Sequence, residues 1–220
     1  MIYLAANNSR VHRLAAEGYP MGWMMSPAGF RDPRSLMFAI DNGLFYPVGG
    51  EPKGMKFLVP FYAMLGQLRE RGWSPMFVVV PDVPYDGAAS IEMSRRHLRH
   101  VSGYGFPTAI AVQDGMTPDV LDDDGYAWVF VAGSTEWKWK TATTWIHEAH
   151  ARGMGAHIAR VNTWRRIYEC IDNGADSADG TGIWRGDKHQ LASVLAALVQ
   201  DGLWGQLSAG VSGGFIRRCA

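Results

Sequence analysis

Short apolar runs alternate along this chain with longer segments in which apolar residues recur every three or four positions. The runs predict buried strands, and the longer segments predict amphipathic helices. The predicted strands span residues 1–6, 35–40, 76–80, 108–112, 128–131 and 156–161, followed by a short segment that carries Asp176 and Asp179. The predicted helices span residues 11–18, 57–71, 87–101, 118–122, 136–152 and 188–200, with a further short helix between Thr163 and Asn173.

The strands are apolar throughout, which is typical of a parallel sheet covered by helices on both faces. Seven strand–helix units, with no glycine-rich phosphate fingerprint after the first strand, favour a small (β/α)8-type TIM barrel over an open sheet. The eighth strand is not obvious, and residues 203–207 and 214–217 are weak candidates for it. We interpret residues 23–33 as a loop. No linker or repeat is visible, so the sequence predicts one domain over residues 1–220.

Composition excludes several classes of protein. The chain has 21 basic and 21 acidic residues, so no global field attracts it to nucleic acid or a membrane. Its two cysteines lack metal-ligand spacing, which suits a reducing cytosol. No apolar run is long enough to span a bilayer, and the first residues do not resemble a signal peptide. We therefore expect a cytoplasmic protein, within the host cell if a phage encodes it.

Polar residues follow the predicted strands at the positions where TIM barrels carry their chemistry. They are acidic or amide-bearing and suit the edge of a purine-like base, or alternatively a divalent cation. His147 and His150 lie in HEAH, which lacks the spacing of a zinc protease, and the basic run 95–100 is typical of a solvated helix face or a phosphate contact. The strand-end residues are Asn7, Asp41, Asp82, Asp86, Gln113, Asp114, Gly133, Ser134, Asn162, Asp176 and Asp179.

The segment 161–185 is the most informative stretch. Thr163 is a helix N-cap, Asn173-Gly174 is a C-cap, and a small, polar segment with two carboxylates follows. Composition alone favours an Asp- and Gly-rich turn here. The order of the surrounding elements instead favours a site that a ligand approaches closely.

These residues resemble the queuine tRNA-ribosyltransferases and the related deazapurine DNA transglycosylases of phages and bacteria. In that family one strand ends in roughly Gly-Val-Gly-Thr-Pro. A helix follows, and after it comes the segment Gly-(Ile/Ala)-Asp-Met-Phe-Asp. An Arg lies six residues beyond the last Asp of that segment. Here Arg160-Val161-Asn162-Thr163 and Gly174-Ala175-Asp176-Ser177-Ala178-Asp179 occupy those places without a gap, and Arg185 follows. The family's Gln-Gly-Gly resembles Gln113-Asp114-Gly115, and its glycine-rich loop resembles Ala132-Gly133-Ser134-Thr135-Glu136. Asp41 and Asp82 resemble its earlier acidic strand ends, so the resemblance covers roughly residues 35–190.

The resemblance implies a guanine-exchange reaction through a covalent Asp–sugar intermediate. Asp179 is then the nucleophile, and Asp41 is the acid and base for the two bases. Substrate binding falls to Asp82, Gln113, Gly133, Ser134, Asp176 and Arg185. No cofactor or metal is implied at the site, and the implied partners are nucleic acid and a 7-deazaguanine base. Relatives often form homodimers, and no feature of this sequence decides whether this chain does.

Departures from the family change the expected substrate. The three Cys and one His that bind zinc in the tRNA enzymes are absent, and the chain is much shorter, which favours DNA over tRNA. Ser177-Ala178 replaces Met-Phe, and Asp114 replaces a Gly, so base selectivity is expected to differ. Three other hypotheses stay open. The same site could belong to a DNA glycosylase or nucleoside hydrolase, or Asp41, Asp82 and Asp179 could bind the metal of a barrel lyase or hydrolase. The third hypothesis is a catalytically inactive relative that binds a nucleobase or nucleic acid.

Overall fold

Eight parallel strands close on one another in the order in which they occur in the chain. The computed structural model describes residues 1–6, 8–45, 55–122, 125–181 and 188–200. The barrel closes where β8 pairs with β1, with Leu4 opposite Asp179. The strands are β1 (Ile2–Ala5), β2 (Met21–Met25), β3 (Met37–Ile40), β4 (Val78–Val79), β5 (Thr108–Val112), β6 (Trp128–Val131), β7 (Gly155–Ile158) and β8 (Ser177–Asp179).

Helices surround the barrel and are capped by side chains at their first turns. Asn8, Asp86, Ser134 and Thr163 each accept a hydrogen bond from a backbone N–H of the helix that follows, as N-cap residues do. The helices are α1 (Ser9–Ala16), α2 (Leu58–Glu70), α3 (Gly87–Ser102), α4 (Thr135–Ala151), α5 (Trp164–Asp172) and α6 (Lys188–Gln200). Short 3-10 turns span Pro27–Gly29, Met55–Phe57 and Pro118–Asp122.

The TIM-barrel fold is confirmed, and the missing eighth strand lies early in the chain. It is β2, whose last three residues fall in the segment 23–33 that was predicted to be a loop. The prediction failed because MGWMM contains no β-branched residue. Gly22 serves packing here: a Cβ on it would lie 2.6 Å from the Met37 carbonyl oxygen and 2.7 Å from Leu4 Cδ2. The two C-terminal candidates for this strand, 203–207 and 214–217, lie outside the described residues.

Two apolar clusters fill the molecule. The larger lies between the barrel and its helices, and the smaller fills the barrel interior. Polar side chains enter the interior in one sector, where the wholly buried His157 of β7 and Ser177 of β8 lie. Within the residues that the structure describes, every helix falls short of the length and apolarity that a membrane span needs. The interior residues are Leu4, Ala39, Phe77, Val79, Ala109, Ala111 and Trp128.

Candidate functional site

Asp179 ends β8 and is held through one of its two carboxylate oxygens. Its Oδ1 accepts hydrogen bonds from His157 Nε2 at 2.9 Å and from the backbone N–H of Arg160 at 3.2 Å. Its Oδ2 receives no hydrogen bond from any described residue. The side chain is 17% exposed. The carboxylate is therefore fixed on one side and available on the other.

His157 supports this carboxylate from inside the barrel, and sequence reasoning missed it. Its Nδ1 lies 2.8 Å from Ser177 Oγ, so both ring nitrogens have partners. Phe130 stacks on the ring at 4.8 Å between centroids, and Phe77 meets it edge-on at 5.3 Å. His157 was not among the predicted strand-end residues because it lies inside β7, one residue before the strand ends. The signal that could have identified it is the alternation of side chains along β7, which directs every second residue into the barrel.

Asp82 lies just beyond β4 and is nearly buried. Asn42 Nδ2 donates to its Oδ1 at 2.7 Å, and Gln113 Nε2 donates to its Oδ2 at 2.6 Å. Burial raises the pKa of Asp82, and the two side-chain hydrogen bonds oppose that rise. Because both oxygens are occupied inside the protein, Asp82 fixes the orientation of the Gln113 amide.

Gln113 joins three strand ends. With its Nε2 directed at Asp82, its Oε1 accepts from the backbone N–H of Gly133 at 2.8 Å and of Tyr85 at 3.0 Å. The structure therefore brings Asp82, Gln113 and Gly133 together, as the resemblance implied.

Ser134 caps helix α4 and is anchored by a neighbouring carboxylate. Its N–H donates to Asp114 Oδ2 at 2.6 Å, and its hydroxyl donates to Asp114 Oδ1 at 2.5 Å. The same hydroxyl oxygen accepts from the backbone N–H of Trp137. Ser134 therefore positions Gly133 at the rim, and its own polar groups already have partners.

Arg160 crosses the mouth of the barrel from the end of β7. Its guanidinium donates to the carbonyl of Gly133 and lies 4.9 Å from the ring of Phe45 and 5.9 Å from that of Tyr85. Arg160 and Tyr85 both have left-handed backbones, with φ of 57° and 70°. Such conformations are costly for residues other than glycine and cluster at functional sites.

Lys138 of helix α4 lies behind this region and is 1% exposed. Its ammonium group donates to the carbonyl of Ala159 and lies 5.1 Å from the ring of Trp139. Burial and, to a smaller extent, the nearby charge of Arg160 lower the pKa of Lys138 to about 8, and Asp179 opposes this shift.

Asp41 follows β3 at the same end of the barrel and is partly buried. Its N–H donates to the carbonyl of Met25, and its Oδ1 accepts from the backbone N–H of Gly43 at 3.3 Å. It has the inward-facing parity of Ala39, two residues before it. Its position is compatible with the acid and base role that the resemblance gave it.

Asp176 does not belong to this group of residues, and its prediction as a binding residue needs correction. It precedes β8 and lies at the opposite end of the barrel, because three residues of strand span about 10 Å. There it accepts from His150 Nε2 at 2.9 Å and from the backbone N–H of Ala156 at 2.8 Å. Its role is to join the end of α4 to the start of β7. Arg185 and Asn7, which were also predicted as site or strand-end residues, lie outside the described residues.

A metal-binding group is not formed by the candidate carboxylates. Across the described ranges, no three His, Cys, Asp or Glu side chains are placed to hold a metal ion together. Asp41, Asp82 and Asp179 in particular do not form such a set. The metal-dependent alternative has no ligand set in this part of the chain.

Comparisons with known proteins support the fold. No model of a protein family matches the sequence, and no curated protein is significantly similar to it. A chain of the Amycolatopsis orientalis BexX/CysO complex superimposes with a TM-score of 0.55 at 13% identity, over 94% of this chain and 91% of that one. A protein from Coccidioides immitis, provisionally described as a fructose-1,6-biphosphate aldolase, gives a TM-score of 0.53 at 10% identity, over 91% and 84%. At such identities the likeness shows the barrel fold alone.

Proposed function

We propose that this protein is an enzyme that exchanges a base at the glycosidic carbon of a nucleic acid, with DNA preferred over tRNA. A 7-deazaguanine base replaces guanine through a covalent intermediate on Asp179. The observation that carries the proposal is the carboxylate of Asp179, held through Oδ1 at the carboxyl end of a barrel strand with Oδ2 left without a partner among the described residues. A retaining reaction at a glycosidic carbon requires a nucleophile of this kind.

The reaction divides into two displacements. In the first, Asp179 Oδ2 bonds to C1′ of the sugar while the C1′–N9 bond breaks and its electron pair leaves with guanine. Asp41 supplies the proton that the departing base accepts. In the second, Asp41 removes a proton from the incoming base, whose N9 bonds to C1′ and releases the carboxylate. Two displacements retain the configuration at C1′.

Base recognition in this proposal uses the network at the ends of β4, β5 and β6. A purine-like edge combines hydrogen-bond donors and acceptors, and Gln113 together with the backbone of Gly133 offers both kinds. In the structure these two groups bond to each other, so a base takes the place of that hydrogen bond. Asp82 keeps the Gln113 amide oriented during the exchange.

DNA is favoured because the Cys and His zinc cluster of the tRNA enzymes is absent from the sequence. A base in a duplex must leave the stack before its glycosidic carbon can reach Asp179, so the target nucleotide is flipped or single-stranded. The exposed ring of Phe45 lies 6.3 Å from that of Tyr85 at the mouth, and such rings are suited to contact an unstacked base.

The test is incorporation of labelled 7-cyano-7-deazaguanine into duplex DNA, single-stranded DNA and tRNA, offered separately. Asp179→Asn removes the nucleophile while keeping its shape. Asp176→Asn is the matched control, since it changes a carboxylate of the same strand segment at the other end of the barrel. We expect label in DNA with the wild type and Asp176→Asn, and none with Asp179→Asn.

Other results separate the alternatives. Release of guanine without incorporation of label identifies a glycosylase that uses water in place of the incoming base. Incorporation by Asp179→Asn shows that another group is the nucleophile. Wild-type protein that neither incorporates label nor releases guanine from any substrate refutes the proposal.

A further inference from the structure

The pair formed by Ser177 and His157 lies directly beneath the carboxylate of Asp179, inside the barrel. Both side chains are wholly buried, and the only hydrogen bonds of the described chain to the Ser177 hydroxyl and the two imidazole nitrogens join Ser177, His157 and Asp179 in a line. A buried chain of polar groups in an otherwise apolar interior is costly unless each group is satisfied. Here each one is.

The partners fix which imidazole nitrogen carries hydrogen. An ionised carboxylate only accepts hydrogen bonds, so His157 Nε2 must be protonated to bond Asp179 at 2.9 Å. In the neutral ring Nδ1 is then an acceptor, and the Ser177 hydroxyl donates to it at 2.8 Å. Asp179 therefore selects the tautomer, and the Ser177 hydroxyl satisfies the remaining ring nitrogen.

The ring is also fixed in orientation. Phe130 stacks on it with an interplanar angle of 6°, and Phe77 packs edge-on at 61°. Rotation of the imidazole would break both hydrogen bonds and both ring contacts at once. The ring is thus held in one orientation from several sides.

We infer that His157 is a positioning residue for Asp179 and that Ser177 holds the other ring nitrogen of His157, so that Oδ1 is occupied and Oδ2 is the oxygen that attacks the sugar. This inference rests on the proposed function for the identity of the reaction. The other charged or titratable groups near Asp179 are Tyr3 of β1, Lys138 of α4 and Arg160 after β7. Arg160 reaches the Asp179 carboxylate through its backbone N–H, whereas His157 bonds it through its side chain.

Three variants test the inference by kinetics. His157→Phe keeps an aromatic ring between Phe77 and Phe130 but removes the donor to Asp179, and Ser177→Ala removes only the hydroxyl. His150→Phe is the control, because His150 and Asp176 form a second His–carboxylate pair of the same 2.9 Å length at the other end of the barrel. We expect kcat to fall on the order of 10- to 100-fold in His157→Phe and about 5-fold in Ser177→Ala, with KM for DNA nearly unchanged. The control keeps wild-type kinetics.

The same three variants can refute the inference. A wild-type kcat in His157→Phe overturns it, and so does an equal loss in His150→Phe. A loss that appears in KM rather than in kcat also overturns it, because it would mean that His157 contributes to binding.

A second measurement needs no activity and separates this inference from the proposed function. Nitrogen-15 NMR of histidine-labelled protein reports the protonation of each imidazole nitrogen, and His157→Phe identifies the signal. We expect Nε2 to carry the hydrogen and Nδ1 to lack it, with both chemical shifts changed in Asp179→Asn. The opposite tautomer, or a ring indifferent to Asp179→Asn, refutes the positioning role. An inactive wild type with the expected tautomer refutes the reaction but not the arrangement.

Discussion

Asn42 and Asp82 join the ends of two neighbouring strands through a hydrogen bond of 2.7 Å from Nδ2 to Oδ1. The same amide donates to the carbonyl of Val80 at 3.1 Å and accepts from the N–H of Leu44 at 2.8 Å. Asn42 is 1% exposed. It therefore completes the surroundings of a buried carboxyl while tying down the chain that leaves β3.

Replacement of Asn42 by Leu should destabilise the protein. The variant leaves Asp82 Oδ1 and the N–H of Leu44 buried without partners, which costs about 1–3 kcal/mol for each unsatisfied group. Urea denaturation measures the loss in the free energy of unfolding. Adding Asp82→Asn should reduce the cost, since a neutral side chain needs less compensation. A change below about 0.5 kcal/mol in the single variant would contradict the network.

The ionisation of Asp82 should weaken the fold. Its pKa is raised from 3.8 by burial, so the folded protein binds more protons than the unfolded chain between the two pKa values. The free energy of unfolding therefore loses a contribution as pH rises from about 4 through the folded pKa. Asp82→Asn should lack this contribution. Urea denaturation at a series of pH values should show the variant gaining stability relative to the wild type as pH rises, and a constant difference would refute it.

Lys138 predicts a pH dependence of opposite sign. Its pKa falls from 10.5 to about 8 in the fold, so the unfolded chain binds more protons between these values. The free energy of unfolding therefore rises between pH 8 and pH 10.5 on account of this group. Lys138→Met should lack that rise. The difference between the two unfolding curves isolates Lys138 from the tyrosines that titrate nearby in pH, and parallel curves would show that the ammonium group is not buried.

Gly133 should tolerate no side chain. Its φ is +63°, and a Cβ would lie 2.8 Å from Asp114 Oδ2 and collide with the ring of Trp137. Gly133→Ala should cost roughly 1–2 kcal/mol for the left-handed backbone and about 1–3 kcal/mol more for overpacking. Gly153→Ala, at φ +71° with open space around it, should show the backbone cost alone. Equal melting temperatures for the two variants would mean that the rim around Gly133 is more open than the structure indicates.

The sequence predicted those elements in which the local signals agree. Strand β5 and the turn Pro118–Asp122 have the predicted bounds, and Thr163 caps α5 as expected. Strand β2 was missed because its sequence suits close packing against both neighbouring strands, as Gly22 shows. That packing is a tertiary contact, and no local sequence pattern indicates it.

The candidate site could be predicted only in part, because some of its residues gain their role from tertiary contacts that no local sequence pattern reports. Gln113 and Gly133 could be grouped because they lie one and two residues beyond the ends of their strands, and parallel strands end together. Asp176 was wrongly grouped with Asp179 because spacing in sequence was read without strand geometry. His157 was overlooked because a side chain inside a barrel gains its meaning from Ser177 and Asp179, which come twenty and twenty-two residues later in the chain.

The closure of β8 on β1 controls when the carboxylate of Asp179 is in place. Asp179 lies opposite Leu4, and the Tyr3 hydroxyl reaches across the closure to the carbonyl of Val161. During synthesis the first strand must therefore wait, with one edge unpaired, until the last strand has left the ribosome. A nascent chain carries Asp41, Asp82 and Gln113 long before it can position Asp179. Proteolytic removal of the first five residues would have the same effect, since the nucleophile would remain but its strand would lose half of its support.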